Sequence, residues 1–136
     1  MQTPSILETV LYARDLAAAE RFYSRLLGLA PYAKSEGRHV FYKLEGQMLL
    51  IFNPDATQKP AGGPLPVPAH GATGHGHVCF AASTTELDAR RDWCAAHRIA
   101  IEADFEWPGG GRSIYIRDPA GNSIEFAEPR IWGFEA

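Results

Sequence analysis

A chain of 136 residues can bury roughly 68% of its unfolded surface, and its 46% apolar and 21% charged residues are those of an ordinary globular protein. A formal net charge of −3 leaves no electrostatic footprint for nucleic acid or an anionic membrane, and no apolar run approaches the roughly 20 residues of a spanning helix. Met1-Gln2-Thr3-Pro4 has neither the basic nor the apolar region of a secretory signal, and Cys79 and Cys94 are too few for a disulfide scaffold, so a cytoplasmic protein with two reduced packing thiols is expected.

Residues 6–13 read as a strand, and Asp15 suits the N-cap of the helix that follows. Leu16, Ala19, Phe22, Tyr23, Leu26 and Leu27 recur at three- and four-residue steps, which gives that helix one apolar face, and Gly28 suits its C-cap. Strands around 38–44 and 47–52 form a hairpin with Glu45-Gly46 in its turn. Residues 53–76 are rich in Pro and Gly and read equally as a linker or as a loop over a binding cleft. A strand at 77–82 and a helix at about 85–97 come next, with Ser83 and Glu86 spaced as a capping box. The loop from Glu106 to Arg112 sets Trp107 beside three glycines, without the Gly-Lys-Ser/Thr ending of a phosphate-binding loop. Strands at 113–117 and 122–127 close the pattern, joined by the turn residues Asp118-Pro119-Ala120-Gly121-Asn122.

The chain repeats itself. Gly37-Arg38-His39-Val40-Phe41-Tyr42 leads through Gly46 to Pro54, and Gly111-Arg112-Ser113-Ile114-Tyr115-Ile116 leads through Gly121 to Pro129. Strand and helix precede each copy. Two similar modules are therefore expected, about 5–54 and about 75–129, joined by a loop over about 55–74 within one domain spanning 1–136.

Alternation along each strand sorts its residues onto two faces. If the apolar faces meet the helices, Glu8, His77 and Glu125 lie on the opposite face. Glu8 and His77 are equivalent in the repeat, as are Leu50 and Glu125. Two carboxylates gathered without a cation repel one another, whereas a divalent metal removes the conflict. Two carboxylates and an imidazole suit Zn, Mn, Fe, Ni or Co. His75 competes with His77, because it shares that face if the strand starts early; His39 and His70 are weaker competitors.

Glu-Thr-Val-Leu-Tyr-Ala-Arg-Asp-Leu (8–16), Arg-Phe-Tyr (21–23) and Leu-Leu-Gly-Leu (26–29) resemble the opening of the vicinal oxygen chelate superfamily. That superfamily includes glyoxalase I, fosfomycin and bleomycin resistance proteins, methylmalonyl-CoA epimerase and extradiol dioxygenases. Gly76-His77-Val78-Cys79-Phe80 resembles its central strand, and Asp118-Pro119-Ala120-Gly121-Asn122-Ser123-Ile124-Glu125 its closing motif. The resemblance implies an α+β fold of two tandem βαβββ modules, with a cup-shaped, barrel-like mixed sheet and helices outside. It also implies a metal in the cup that holds two neighbouring substrate oxygens. His77 and Glu125 match its second-half ligands, and Glu8 stands where many members have His. Leu50 stands where glyoxalase I and the epimerase use a polar ligand, so their four-ligand site is not expected here.

The expectation is a metal-dependent enzyme acting on a small oxygenated molecule by Lewis-acid activation of a bound oxygen. Glu125 serves as ligand and as the proton-transfer group in this reading. Arg38 and Arg112 open equivalent strands and are candidates to bind an anionic group of the substrate. Tyr42, Leu50, His70 and Trp107 are candidates to line the pocket. The alternative is a metal-free protein of bleomycin-resistance type that sequesters a drug or metabolite. Open sheet edges and the apolar tail Ile131-Trp132-Gly133-Phe134 point to a homodimer.

Overall fold

The structure is a computed structural model that describes residues 1–135; Ala136, the last residue of the expected domain, lies outside them. The chain divides into two units, Met1–Gly76 and His77–Ala136. Each carries one four-stranded mixed sheet and the same βαβββ order. The paired-module α+β architecture is thus the one the repeat predicts.

In the first unit β1 (Glu8–Tyr12) leads to α1 (Leu16–Leu27), then β2 (Ala33–Ser35), β3 (His39–Lys43) and β4 (Met48–Phe52). The strand order is β1-β4-β3-β2, with β1 parallel to β4 and the other pairs antiparallel. Asp15 caps α1 by accepting from the Ala18 amide at 3.0 Å, and Gly28 ends it in the left-handed conformation at φ 65°. An Asp N-cap of this kind contributes about 1 kcal/mol. The helix buries Ala19, Tyr23 and Leu26 and lies against β3 and β4. Leu11, Val40, Leu49 and Ile51 are buried with them, each worth roughly 1.5–3 kcal/mol when fully removed from water.

The second unit repeats this layout. Its elements are β5 (His77–Ala81), α3 (Thr84–Ala96), β6 (Ala103–Glu106), β7 (Arg112–Arg117) and β8 (Ser123–Ala127), in the order β5-β8-β7-β6. Ser83 caps α3 by accepting from the Glu86 amide at 3.1 Å. The apolar face of α3 is narrow, with Leu87 and Cys94 buried. Arg90 completes it, its guanidinium 4.6 Å from the Phe126 ring, so a charged side chain covers the sheet where a hydrocarbon would be expected.

Alternation did not locate β2 and β6. Both are short edge strands with mostly exposed residues, so neither carries a buried face to read. The segment 53–76 also contains structure, a turn of helix α2 (Pro54–Thr57) capped by Asn53. Further on, the His70 amide donates to the Thr57 carbonyl at 2.9 Å, and the His70 ring meets Tyr12 and Phe52. The segment therefore folds back onto the sheet of its own unit. Among the described residues no helix is long and apolar enough to cross a membrane.

Candidate functional site

The turn between β7 and β8 sets the position of Glu125. Asp118 is buried, and its carboxylate accepts from the amides of Ala120 and Asn122 and from the Asn122 side chain, at 3.0, 2.8 and 2.9 Å. This turn pairs Tyr115 with Glu125 and Ser113 with Ala127 across the antiparallel ladder. On the other side of β8, parallel pairing sets Cys79 beside Glu125 and His77 beside Ser123. Directly paired residues share a face. His77, Cys79, Ser113, Tyr115, Ser123 and Glu125 thus lie on one face of the sheet, together with Phe105 of β6, which pairs with Ser113.

On that face the side chains form one hydrogen-bonded chain. Trp107 Nε1 donates to Ser113 Oγ at 2.8 Å, and Ser113 Oγ donates to Glu125 Oε2 at 2.6 Å. Glu125 Oε1 lies 3.2 Å from His77 Nε2, and His77 Nδ1 lies 3.0 Å from the Ser123 carbonyl oxygen. The carbonyl can only accept, so Nδ1 carries the hydrogen. In a neutral imidazole Nε2 then presents a lone pair to a carboxylate oxygen. Two acceptors at that distance require a proton or a metal ion between them. A backbone carbonyl that orients the far imidazole nitrogen is a common support for metal-ligating histidines. The donor chemistry of the pair therefore fits a divalent metal. Among the described residues no group of three or more His, Cys, Asp or Glu is gathered to hold one.

Glu125 is 5% exposed, while the His77 side chain is half exposed. The buried carboxylate marks its neighbours. Burial, and then the charge of Glu125, push the Cys79 thiol up to about 12. Burial, and then a hydrogen bond to Glu125, raise the Tyr115 phenol above its ordinary value. Cys79 is exposed as a residue while its thiol is partly desolvated on this face; Cys94 is the buried thiol. An aromatic border adjoins the pair. Tyr115 lies nearly parallel to His77 and to Phe105, with centroids 6.2 and 6.0 Å away, and Phe105 meets Trp107 edge-on at 4.8 Å.

Other candidates fall elsewhere. Arg112 has the parity of Ile114 and Ile116 and faces α3. Its guanidinium donates to Asp88 at 2.7 Å and to Asp104 at 2.8 and 2.9 Å. Tyr42 has the parity of Val40. It is fully buried against α1, its hydroxyl bonded to Ser24 Oγ at 2.8 Å and the Glu20 carbonyl at 3.1 Å, as a residue of its unit's core. His75 is exposed and precedes β5.

In the first unit Glu8 is exposed at the start of β1, on the face that carries Val10, Leu50 and Phe41. Leu50 is 7% exposed. Arg38 donates to His39 Nδ1 at 2.9 Å and lies 5.4 Å over the Phe52 ring. The His70 Nδ1 lies 2.7 Å from the Tyr12 hydroxyl. Ser113, Tyr115 and Phe105 were not among the candidates. Their signal was pairing across the Asp118–Asn122 turn, which puts Tyr115 opposite Glu125 once the hairpin is closed there.

The profile of the Glyoxalase/Bleomycin resistance protein/Dioxygenase superfamily matches residues 5–126. Among solved structures, a lactoylglutathione lyase from Agrobacterium tumefaciens is 45% identical, with a TM-score of 0.92 over 98% of this chain and 100% of that one. A glyoxalase/bleomycin resistance protein/dioxygenase from Nocardioides shares the fold at 23% identity, with a TM-score of 0.74 over 94% and 85% of the two chains. A glyoxalase/bleomycin resistance protein from Catenulispora acidiphila does so at 23% identity, with a TM-score of 0.64 over 90% and 96%. No curated protein matches the chain.

Proposed function

The chain belongs to the Glyoxalase/Bleomycin resistance protein/Dioxygenase superfamily, and within it we propose a metal-dependent enzyme that acts on a small oxygenated molecule, its two modules working as one domain. The observation that carries this reading is the pairing of His77 Nε2 with Glu125 Oε1 at 3.2 Å, with Nδ1 tied to a carbonyl. Glu8 holds the position in the first module that His77 holds in the second. A bound divalent metal of the Zn, Mn, Fe, Ni or Co kind would supply Lewis-acid polarisation of a carbonyl, hydroxyl or enolate oxygen.

The chain's own residues do the rest. Ser113 holds one Glu125 oxygen, which leaves Oε1 to bind and to exchange a proton with the substrate. Phe105, Tyr115 and Trp107 exclude water along one side. In the first module, Arg38 is the candidate to attract an anionic group, and Leu50 and His70 are candidates to contact a small molecule. The 45% identity to a lactoylglutathione lyase makes lactoylglutathione the first substrate to assay.

A second reading, metal-free sequestration of a small molecule, is favoured by the aromatic border and by Leu50, a hydrocarbon where the repeat places Glu125. Metal analysis of protein purified without chelator separates the two. Near-stoichiometric metal, lost in Glu125→Ala and His77→Ala, supports the enzyme. Metal-free protein that takes up none of the five ions leaves the sequestering reading.

A further inference from the structure

Trp107 stands at the start of the hydrogen-bonded chain that ends on His77, and its chemistry sets the direction of that chain. An indole N–H can only donate, so Ser113 Oγ must accept from it. The one hydroxyl hydrogen of Ser113 is then directed to Glu125 Oε2, at a distance typical of a charge-assisted bond. Ser113 is fully buried, so no bulk water competes for its hydroxyl.

The indole is itself held from several sides. The Trp107 amide donates to the Gly111 carbonyl at 2.8 Å, and the Gly110 amide donates to the Trp107 carbonyl at 2.9 Å. Its ring edge meets Phe105. The same hairpin is anchored at its far side, where the Arg112 amide donates to Glu128 Oε2 at 2.7 Å. The orientation of the indole is thus built into the hairpin.

We propose that Trp107 is a positioning residue that acts through Ser113, holding Glu125 by Oε2 so that Oε1 alone faces the partner of His77 Nε2. Glu125 is thereby presented as a one-oxygen ligand. A group bound at Oε1 draws charge from the carboxylate, weakens its hold on the Ser113 hydroxyl and alters the polarisation of the Trp107 N–H. The inference rests on the metal reading only for the second of its two tests.

The first test uses metal-free protein labelled with ¹⁵N-tryptophan, with the Trp107 indole signal assigned by its loss in Trp107→Phe. Glu125→Gln is expected to shift this signal, and to leave it unmoved when Ser113→Ala is already present. A signal indifferent to Glu125→Gln, or one that moves equally without the Ser113 hydroxyl, overturns the proposal. The second test is Zn²⁺ titration by calorimetry. Trp107→Phe and Ser113→Ala are each expected to weaken binding by about 10- to 100-fold, with the double variant no weaker than Ser113→Ala. Additive losses overturn action through Ser113. A wild-type protein that binds no Zn²⁺, Mn²⁺, Fe²⁺, Ni²⁺ or Co²⁺ overturns the metal function, while the indole signal still decides the role of Trp107.

Discussion

Cys79 and Glu125 sit side by side on the parallel β5–β8 ladder. The thiol is raised from 9.0 to about 12, first by burial and then by the carboxylate. The folded protein therefore keeps this proton where the unfolded chain has lost it. Stability from Cys79 is fully present below pH 9 and is lost as the pH rises from there toward 12. The melting temperature is expected to fall across pH 9–11, and to fall less steeply in Cys79→Ser. Parallel curves for the two proteins would show that the thiol contributes nothing. The same proximity keeps Cys79 a poor nucleophile at neutral pH, since the thiolate is the reactive form. Cys79 is therefore an unreactive thiol beside Glu125 at neutral pH.

At the scale of elements, the β6–β7 hairpin is closely constrained. Gly111 adopts φ 94°, and a Cβ there would run into the Ile131 side chain. Gly37, in the equivalent hairpin of the first module, adopts φ 75° with open space around it. The two glycines separate backbone strain from steric contact. Gly37→Ala is expected to cost about 1–2 kcal/mol, from the left-handed backbone alone. Gly111→Ala adds a clash and is expected to cost about 3 kcal/mol or more. Urea unfolding of both variants checks this; equal losses would mean that Ile131 moves aside freely. The larger cost at Gly111 bears on the site, because the same hairpin holds Trp107.

For the whole molecule, β1 and β2 are the end strands of the first sheet and β5 and β6 those of the second among the described residues. Exposed edges tend to be paired or covered. Trp132 and Phe134 are 79% and 69% exposed, and Ile6 and Leu7 are both 71% exposed. We propose a homodimer that covers part of this surface. Sedimentation at micromolar concentration is expected to give the dimer mass, and Trp132→Ala with Phe134→Ala to shift it toward the monomer. A wild-type protein that sediments as a monomer would refute the proposal.

Local rules carried the sequence a long way. Two-residue alternation, the caps at Asp15, Gly28 and Ser83, and the Asp118–Asn122 turn depend on near neighbours, so they located six strands and both long helices. Parity alone also brought His77 and Glu125 to one face. The same parity assigns Tyr42 with Val40 and Arg112 with Ile114 to the helix side, and strand-end position was a poorer guide than alternation. What only the tertiary structure decided are contacts between residues far apart in the chain. The edge strands β2 and β6 exist because β3 and β7 offer them free hydrogen-bonding groups, which leaves no periodic mark in Ala33–Ser35 or Ala103–Glu106. Arg112 is neutralised by Asp88 from α3 and Asp104 from β6, and Glu125 is held by Ser113 and, through it, by Trp107. Such partners are chosen by cross-strand register and by the closure of hairpins, which are properties of the assembled sheet and not of any single segment.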